Sequence, residues 1–147
     1  MTEKQRVLIL CTGNSARSQM AEGILRALNG EEYDVESAGV EPSRVRPEAI
    51  AAMREIGIDI SSHHSKSVDE FVGQHFDYVI TVCDDADRNC PVFTGRVKHR
   101  LHIGFADPAR ATGSQEEVLA AFRTVRDQIQ ARFSQLYDST AKPRPRA

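Results

Sequence analysis

The sequence predicts a single-domain α/β fold: an open four-stranded parallel sheet flanked by helices. Three observations predict it. Short apolar runs without alternation, of which Arg6-Val-Leu-Ile-Leu10 is the clearest, read as strands buried on both faces, as parallel sheets require. Segments with apolar residues spaced by three and four alternate with these runs, the order that βα units produce. The length of 147 residues suits one sizeable core and is cramped for two.

Each element has a local reason. After the first strand comes a loop of small residues, Cys11-Thr-Gly-Asn-Ser-Ala-Arg17. Met20, Ala21, Ile24, Leu25 and Leu28 then share one helical face, and Asn29-Gly30 is expected to stop that helix. Tyr33 to Ala38 reads as the second strand, ended by Gly39. Arg46-Pro47 opens the next helix, because proline's missing N–H costs nothing in a first turn. Its apolar positions are Ile50, Met53 and Ile56, and Gly57 closes it. Ser67 to Val72 suits a short helix. Phe76 to Val82 is the third strand and runs directly into Cys83. Residues 84–92 are polar and irregular. Val97 to Ile103 reads as the fourth strand, against the polarity of His99, Arg100 and His102. Gly104 to Gly113 is loop. Ser114-Gln-Glu-Glu117 is a capping box, and Val118, Phe122, Val125, Ile129, Phe133 and Leu136 give the helix after it a continuous apolar face. The domain is expected to span 1–137 and the tail 138–147 to be disordered. No repeat or linker divides the chain.

Composition narrows the function. Nineteen Lys and Arg against 21 Asp and Glu leave a net charge of −2, which gives no electrostatic case for a nucleic-acid partner. No run of 18 apolar residues exists to span a membrane, and Val7–Leu10 is too short for a signal-peptide apolar region. The expectation is a cytoplasmic monomer. The chain has three cysteines, Cys11, Cys83 and Cys90, and an odd number makes a poor disulfide framework. In a reducing compartment such thiols are buried fillers, metal ligands or reactive groups.

In parallel α/β folds the site lies beyond the carboxyl ends of the strands, where Cys11 and Cys83 both fall and which Asp107 follows by a few residues. The loop is C-x5-R between a strand and a helix. Small residues at Gly13, Asn14, Ser15 and Ala16 let successive backbone N–H groups converge on an anion. The following helix N-terminus adds positive potential, and the Arg17 guanidinium can hold two oxygens of a tetrahedral oxyanion at once. This setting favours a thiolate at Cys11, to which Ser18 can donate a hydrogen bond. Taken alone, C-x5-R is also compatible with a buried filler cysteine. The closing Gly-Lys-Ser/Thr of an ATP-binding loop is missing.

Cys83-Asp-Asp-Ala-Asp-Arg-Asn-Cys90 separates two thiols by seven positions. In a straight helix their Cα atoms would lie roughly 10 Å apart, beyond the ~7 Å reach of a disulfide. A bond between them would require any intervening helix to unwind, which the polar, Asp-rich segment would permit. Two unrelated buried thiols fit the spacing equally well. Zinc binding with His99 and His102 matches no common ligand pattern. Among His63, His64, His75, His99 and His102 no metal-ligand spacing recurs, and all five read as surface or satisfied-core residues. Asp107-Pro108, as a bare dipeptide, is a turn signal.

The stretch Cys11-Thr-Gly-Asn-Ser-Ala-Arg-Ser-Gln-Met-Ala-Glu22 resembles the signature of the low-molecular-weight tyrosine phosphatase superfamily, and most closely its thioredoxin-coupled arsenate reductase branch. The resemblance extends over Ser37-Ala-Gly39, Gly57-Ile-Asp-Ile-Ser61, the second cysteine pair, Gly104-Phe-Ala-Asp-Pro108 and Arg123 to Ile129. It implies an arsenate reductase with Cys11, Cys83, Cys90, Arg17 and Asp107 as catalytic residues. It also implies substrate binding by Gly13, Asn14, Ser15, Ala16, Arg17 and Ser18, no cofactor or structural metal, and thioredoxin as reductant. Cys11 would attack arsenate, Asp107 would be the general acid, and a disulfide would pass from 11–83 to 83–90. The alternative is a phosphate-monoester hydrolase using Cys11, Arg17 and Asp107 alone. Phosphatases of the family place an aromatic after the Asp-Pro; Ala109 stands here, which removes a stacking contact worth about 1 kcal/mol. Two further positions depart from the family. Ala16 stands where many reductases carry another cysteine. Lys66 falls at an acidic position that, with equivalents of Asn14, Glu22 and Ser37, binds potassium in some members. An ammonium there would supply the charge itself and repel a cation.

Overall fold

The computed structural model describes residues 4–84 and 93–136. Seven main elements follow in order: β1 (Gln5–Cys11), α1 (Arg17–Asn29), β2 (Tyr33–Gly39), α2 (Pro47–Arg54), β3 (His75–Thr81), β4 (Arg96–His102) and α3 (Gln115–Leu136). Short 3-10 turns lie at Val68–Phe71 and Pro108–Arg110. The four strands form one parallel sheet in the order β2-β1-β3-β4. Chain order reverses at β1, since β2 lies on one side of it and β3 on the other. A crevice therefore opens at the carboxyl end of β1, the usual ligand position of such sheets.

Val7, Leu8, Ile9 and Leu10 are all essentially inaccessible, as a strand covered on both faces must be. The two faces are covered unequally. Val7, Ile9 and Cys11 point into a core shared with Met20, Ile24, Met53, Phe122, Ile129 and Phe133, so α1, α2 and α3 all pack on this side. Leu8 and Leu10 point the other way, onto Phe71, Phe76 and Phe93. Among the described residues no α-helix covers that second face. The described α-helices all pack on the first face.

The local signals act where expected, with shifts. Ser114 and Glu117 form the reciprocal box: Ser114 N donates to Glu117 Oε1 at 2.8 Å and Glu117 N to Ser114 Oγ at 3.1 Å. Pro47 occupies the first turn of α2, which ends at Arg54, three residues before Gly57 with its φ of 81°. Gly30 stops α1 without the left-handed turn usual at a glycine cap; its φ is −68°. β4 forms despite its polar sequence because it is the edge strand, with Arg96, Lys98, His99, Arg100 and His102 exposed. No described helix is long and apolar enough to cross a membrane. Cys90, most of the 84–92 segment and the tail from residue 138 lie outside the described residues.

Candidate active site

Cys11 is the last residue of β1, and the loop after it turns under the first turn of α1. Ala16, at the helix cap position, has no side chain that can accept a hydrogen bond from the first amides. This position therefore gives the first turn of α1 no side-chain cap. The loop closes only because Gly39 ends β2 beside it. A Cβ at Gly39 would fall 2.4 Å from the Thr12 carbonyl oxygen and 2.8 Å from that of Cys11, both backbone atoms that cannot yield.

Asn14 has a φ of 48°, a left-handed conformation that costs a non-glycine residue about 1–2 kcal/mol. Its fully buried amide offsets that cost. Asn14 Nδ2 donates to Ser18 Oγ at 2.7 Å and to Ser37 Oγ at 2.9 Å. Its Oδ1 accepts from Gln19 Nε2 at 2.9 Å and from the Lys66 backbone N at 2.8 Å. Four partners saturate the side chain. Ser18 Oγ lies 2.9 Å from Cys11 Sγ. Because Ser18 Oγ already accepts from Asn14, its own proton is free to point at the sulfur.

Arg17 is 3% exposed. It donates to the Phe105 carbonyl at 3.2 Å, and its other terminal nitrogen is 3.5 Å from Asp107 Oδ2. Asp107 Oδ1 accepts from Ala109 N at 3.0 Å, so the Asp-Pro turn itself aims the second carboxyl oxygen toward Arg17. Cys11, Thr12, Gly13, Ser15, Arg17 and Asp107 line one cavity of about 220 Å³. Asn14 and Ser18 lie beneath this wall as its support. Ala16, Ala109, Arg46 and Arg110 complete the lining among the described residues, and no aromatic side chain is among them. The two arginines escape sequence reasoning: Arg46 signals only a helix start and Arg110 only a turn.

Cys83 follows β3 closely. Val82 N donates to the Leu10 carbonyl at 2.9 Å, so the two cysteines end neighbouring strands and share one apolar cluster. Gly104 permits this packing, since a Cβ there would lie 2.7 Å from the Cys83 carbonyl. Cys11 is a free, buried thiol, whereas Cys83 is disulfide-bonded.

Behind the loop lies a buried polar chain. Ser37 Oγ donates to Glu22 Oε1 at 2.5 Å, and Glu22 pairs with Arg26 at 2.8 Å. Lys66 Nζ stands 3.9 Å from Glu22 and 3.8 Å from Glu36, with only 10% of its side chain exposed. Asn14, Glu22, Ser37 and Lys66 are thus one cluster. Its positive member is already in place, so the cluster suits a bound potassium ion poorly. His63 joins it, with Nδ1 3.0 Å from Gln19 Oε1 and 3.9 Å from Glu22. Burial, helped by Arg26 and Lys66, holds the His63 pKa below the usual histidine value against the opposing pull of Glu22 and Asp59. Among the described residues, no group of three or more His, Cys, Asp or Glu could hold a metal ion.

A buried thiol, a buried arginine and a carboxyl facing it from an Asp-Pro turn thus line one cavity at the carboxyl end of β1. The sequence model of low molecular weight phosphotyrosine protein phosphatases matches residues 6–145, and the chain belongs to that family, in its arsenate reductase branch. It is 47% identical over 137 residues to arsenate reductase 2 of Staphylococcus saprophyticus, covering 93% of this chain and 99% of the relative. A solved arsenate reductase in its phosphate-binding state superposes with a TM-score of 0.78 at 35% identity, over 93% of this chain and 99% of that one. A thioredoxin-dependent arsenate reductase of Corynebacterium glutamicum gives a TM-score of 0.63 at 25% identity, over 95% of this chain and 65% of that one.

Proposed function

We propose that this chain is an arsenate reductase. It would convert arsenate to arsenite through a thiol-disulfide relay of Cys11, Cys83 and Cys90, with thioredoxin restoring the thiols, in the cytoplasm and in the service of arsenic detoxification. One observation carries the reading. A free Cys11 thiol at the floor of an anion cavity adjoins a disulfide-bonded Cys83 at the end of the neighbouring strand. Phosphate-ester hydrolysis needs the first cysteine and has no use for redox chemistry at the second. The relatives' identity as arsenate reductases supports the same substrate, and the thioredoxin-dependent relative supports the same reductant.

In the proposed cycle the loop amides and Arg17 hold the oxyanion. The Cys11 thiolate attacks arsenic, an As–O bond breaks, and Asp107 gives its proton to the departing oxygen, which leaves as water. Cys83 then attacks Cys11 Sγ. The S–As bond breaks with its electron pair remaining on arsenic, which becomes arsenite, and an 11–83 disulfide forms. Cys90 attacks Cys83, frees the Cys11 thiolate and moves the disulfide to 83–90. Thioredoxin's dithiol reduces that bond and is itself oxidised. A free Cys11 with a disulfide-bonded Cys83 is compatible with the stage of this cycle just before thioredoxin acts. Among the described residues no aromatic side chain lines the cavity, which favours a small inorganic oxyanion over an aryl phosphate.

Arsenite release with thioredoxin, thioredoxin reductase and NADPH tests the proposal. Wild type should turn over repeatedly. Cys90→Ser should stop after one equivalent while retaining any phosphate-ester hydrolysis, which needs only Cys11, Arg17 and Asp107. No arsenite from wild type, with rapid phosphate-ester hydrolysis, would favour the hydrolase instead.

A further inference from the structure

Arg46 lines the cavity beside Cys11, Arg17 and Asp107. Its backbone is extended, with ψ of 135° before Pro47, and its N–H donates to the Ser15 carbonyl at 2.9 Å. Ser15 belongs to the anion loop, so this bond fixes the Arg46 Cα to the loop whatever side chain it carries. The side chain is half-buried, and among the described residues its guanidinium makes no hydrogen bond or ion pair.

The other two guanidiniums of the cavity differ. Arg17 faces Asp107 at 3.5 Å and Arg110 faces it at 3.9 Å. Their charge is shared with a carboxylate of the site, and that of Arg46 is not. In a half-enclosed cavity such a charge acts on whatever anion enters, with less screening than at an open surface.

We propose that Arg46 is a specificity-determining residue of the oxyanion cavity, selecting tetrahedral oxyanions that carry two negative charges over those that carry one. The charges balance on this assignment. A dianion presents two negative charges, and Arg17, Arg46 and Arg110, with the Asp107 carboxylate beside the first and last of them, present a net two positive ones. Without Arg46 a dianion lacks one counter-charge, whereas a monoanion is fully matched. The natural ligand follows from the arsenate reading, but the charge selection is measurable without turnover.

Sulfate and perchlorate are tetrahedral, similar in size and one charge apart. Titration calorimetry of both into reduced wild-type protein, Arg46→Met and Arg46→Lys tests the assignment. Wild type should prefer sulfate. Arg46→Met should weaken sulfate about tenfold, the size of one charge-assisted hydrogen bond, and perchlorate less than about twofold, while Arg46→Lys recovers most of the sulfate affinity by charge. The KM for arsenate should rise in step, with kcat within about twofold. Equal losses for the two anions, no loss for either, or no preference in wild type would overturn the proposal. Charge-selective binding without arsenite production would sink the reductase reading and leave this one standing. Arsenite production with selectivity unchanged in Arg46→Met would do the reverse.

Discussion

Asn14, held in the left-handed region, donates its side-chain amide to Ser37 Oγ at 2.9 Å, and that bond ties the anion loop to β2. Ser37 passes the link on to Glu22, so the loop's shape rests on a polar chain reaching through the core. Asn14→Ala should therefore destabilise the protein by roughly 3 kcal/mol, the sum of backbone strain and orphaned partners. Asn14→Gly should recover about 1 kcal/mol of that, because glycine adopts this φ freely. Denaturant unfolding measures both, and equal losses would show that strain at this position is unimportant.

Gly39 makes a sharper case. Its missing Cβ leaves room for two loop carbonyls, and backbone atoms cannot swing aside. Gly39→Ala should cost about 3 kcal/mol of stability and weaken oxyanion binding measured by calorimetry. A variant that binds phosphate as wild type does would refute the close-packing account of the loop.

Lys66 supplies the positive charge between Glu22 and Glu36. Arsenate reduction by the wild type should therefore be the same in potassium as in sodium at equal ionic strength. Lys66→Met should lose about 1–2 kcal/mol of stability, with Arg26 still pairing Glu22. Activity rising several-fold with potassium in the wild type would contradict the assignment.

His63 gives the fold a dependence on acid. Burial lowers its pKa in the folded state, while in the unfolded chain it titrates near ~6.5. Below that pH the unfolded chain binds the extra proton more readily, so stability falls as pH drops below about 6.5 and is level above it on this account. His63→Asn should flatten that part of the profile when denaturation midpoints are compared from pH 5 to 8. An unchanged slope in the variant would exclude His63 as the cause.

The elements most legible in the sequence are those whose cause is local. β1 announces itself because both of its faces are covered, and α3 because Ser114 and Glu117 satisfy each other within four residues. β4 is harder to read, since an edge strand with one face in solvent carries the polar pattern of a loop. The Cys11 loop is legible because anion binding, a tight turn and a buried arginine each demand particular residue types at adjacent positions. Arg46 and Arg110 are not, because only tertiary approach brings them to the cavity. His63 reads as an ordinary histidine until the fold sets it against Gln19 and Glu22. The placement of Cys90 lies outside the described residues, so its role rests on the family pattern and on the chemistry a two-electron reduction requires.

The relay is tested most directly by mapping disulfides after one turnover. Fully reduced protein would be mixed with one equivalent of arsenate and no reductant, quenched with acid, alkylated and digested. The account predicts a single 83–90 disulfide, an alkylated Cys11 and one equivalent of arsenite. Arsenite formed with all three cysteines recovered as alkylated thiols would contradict it.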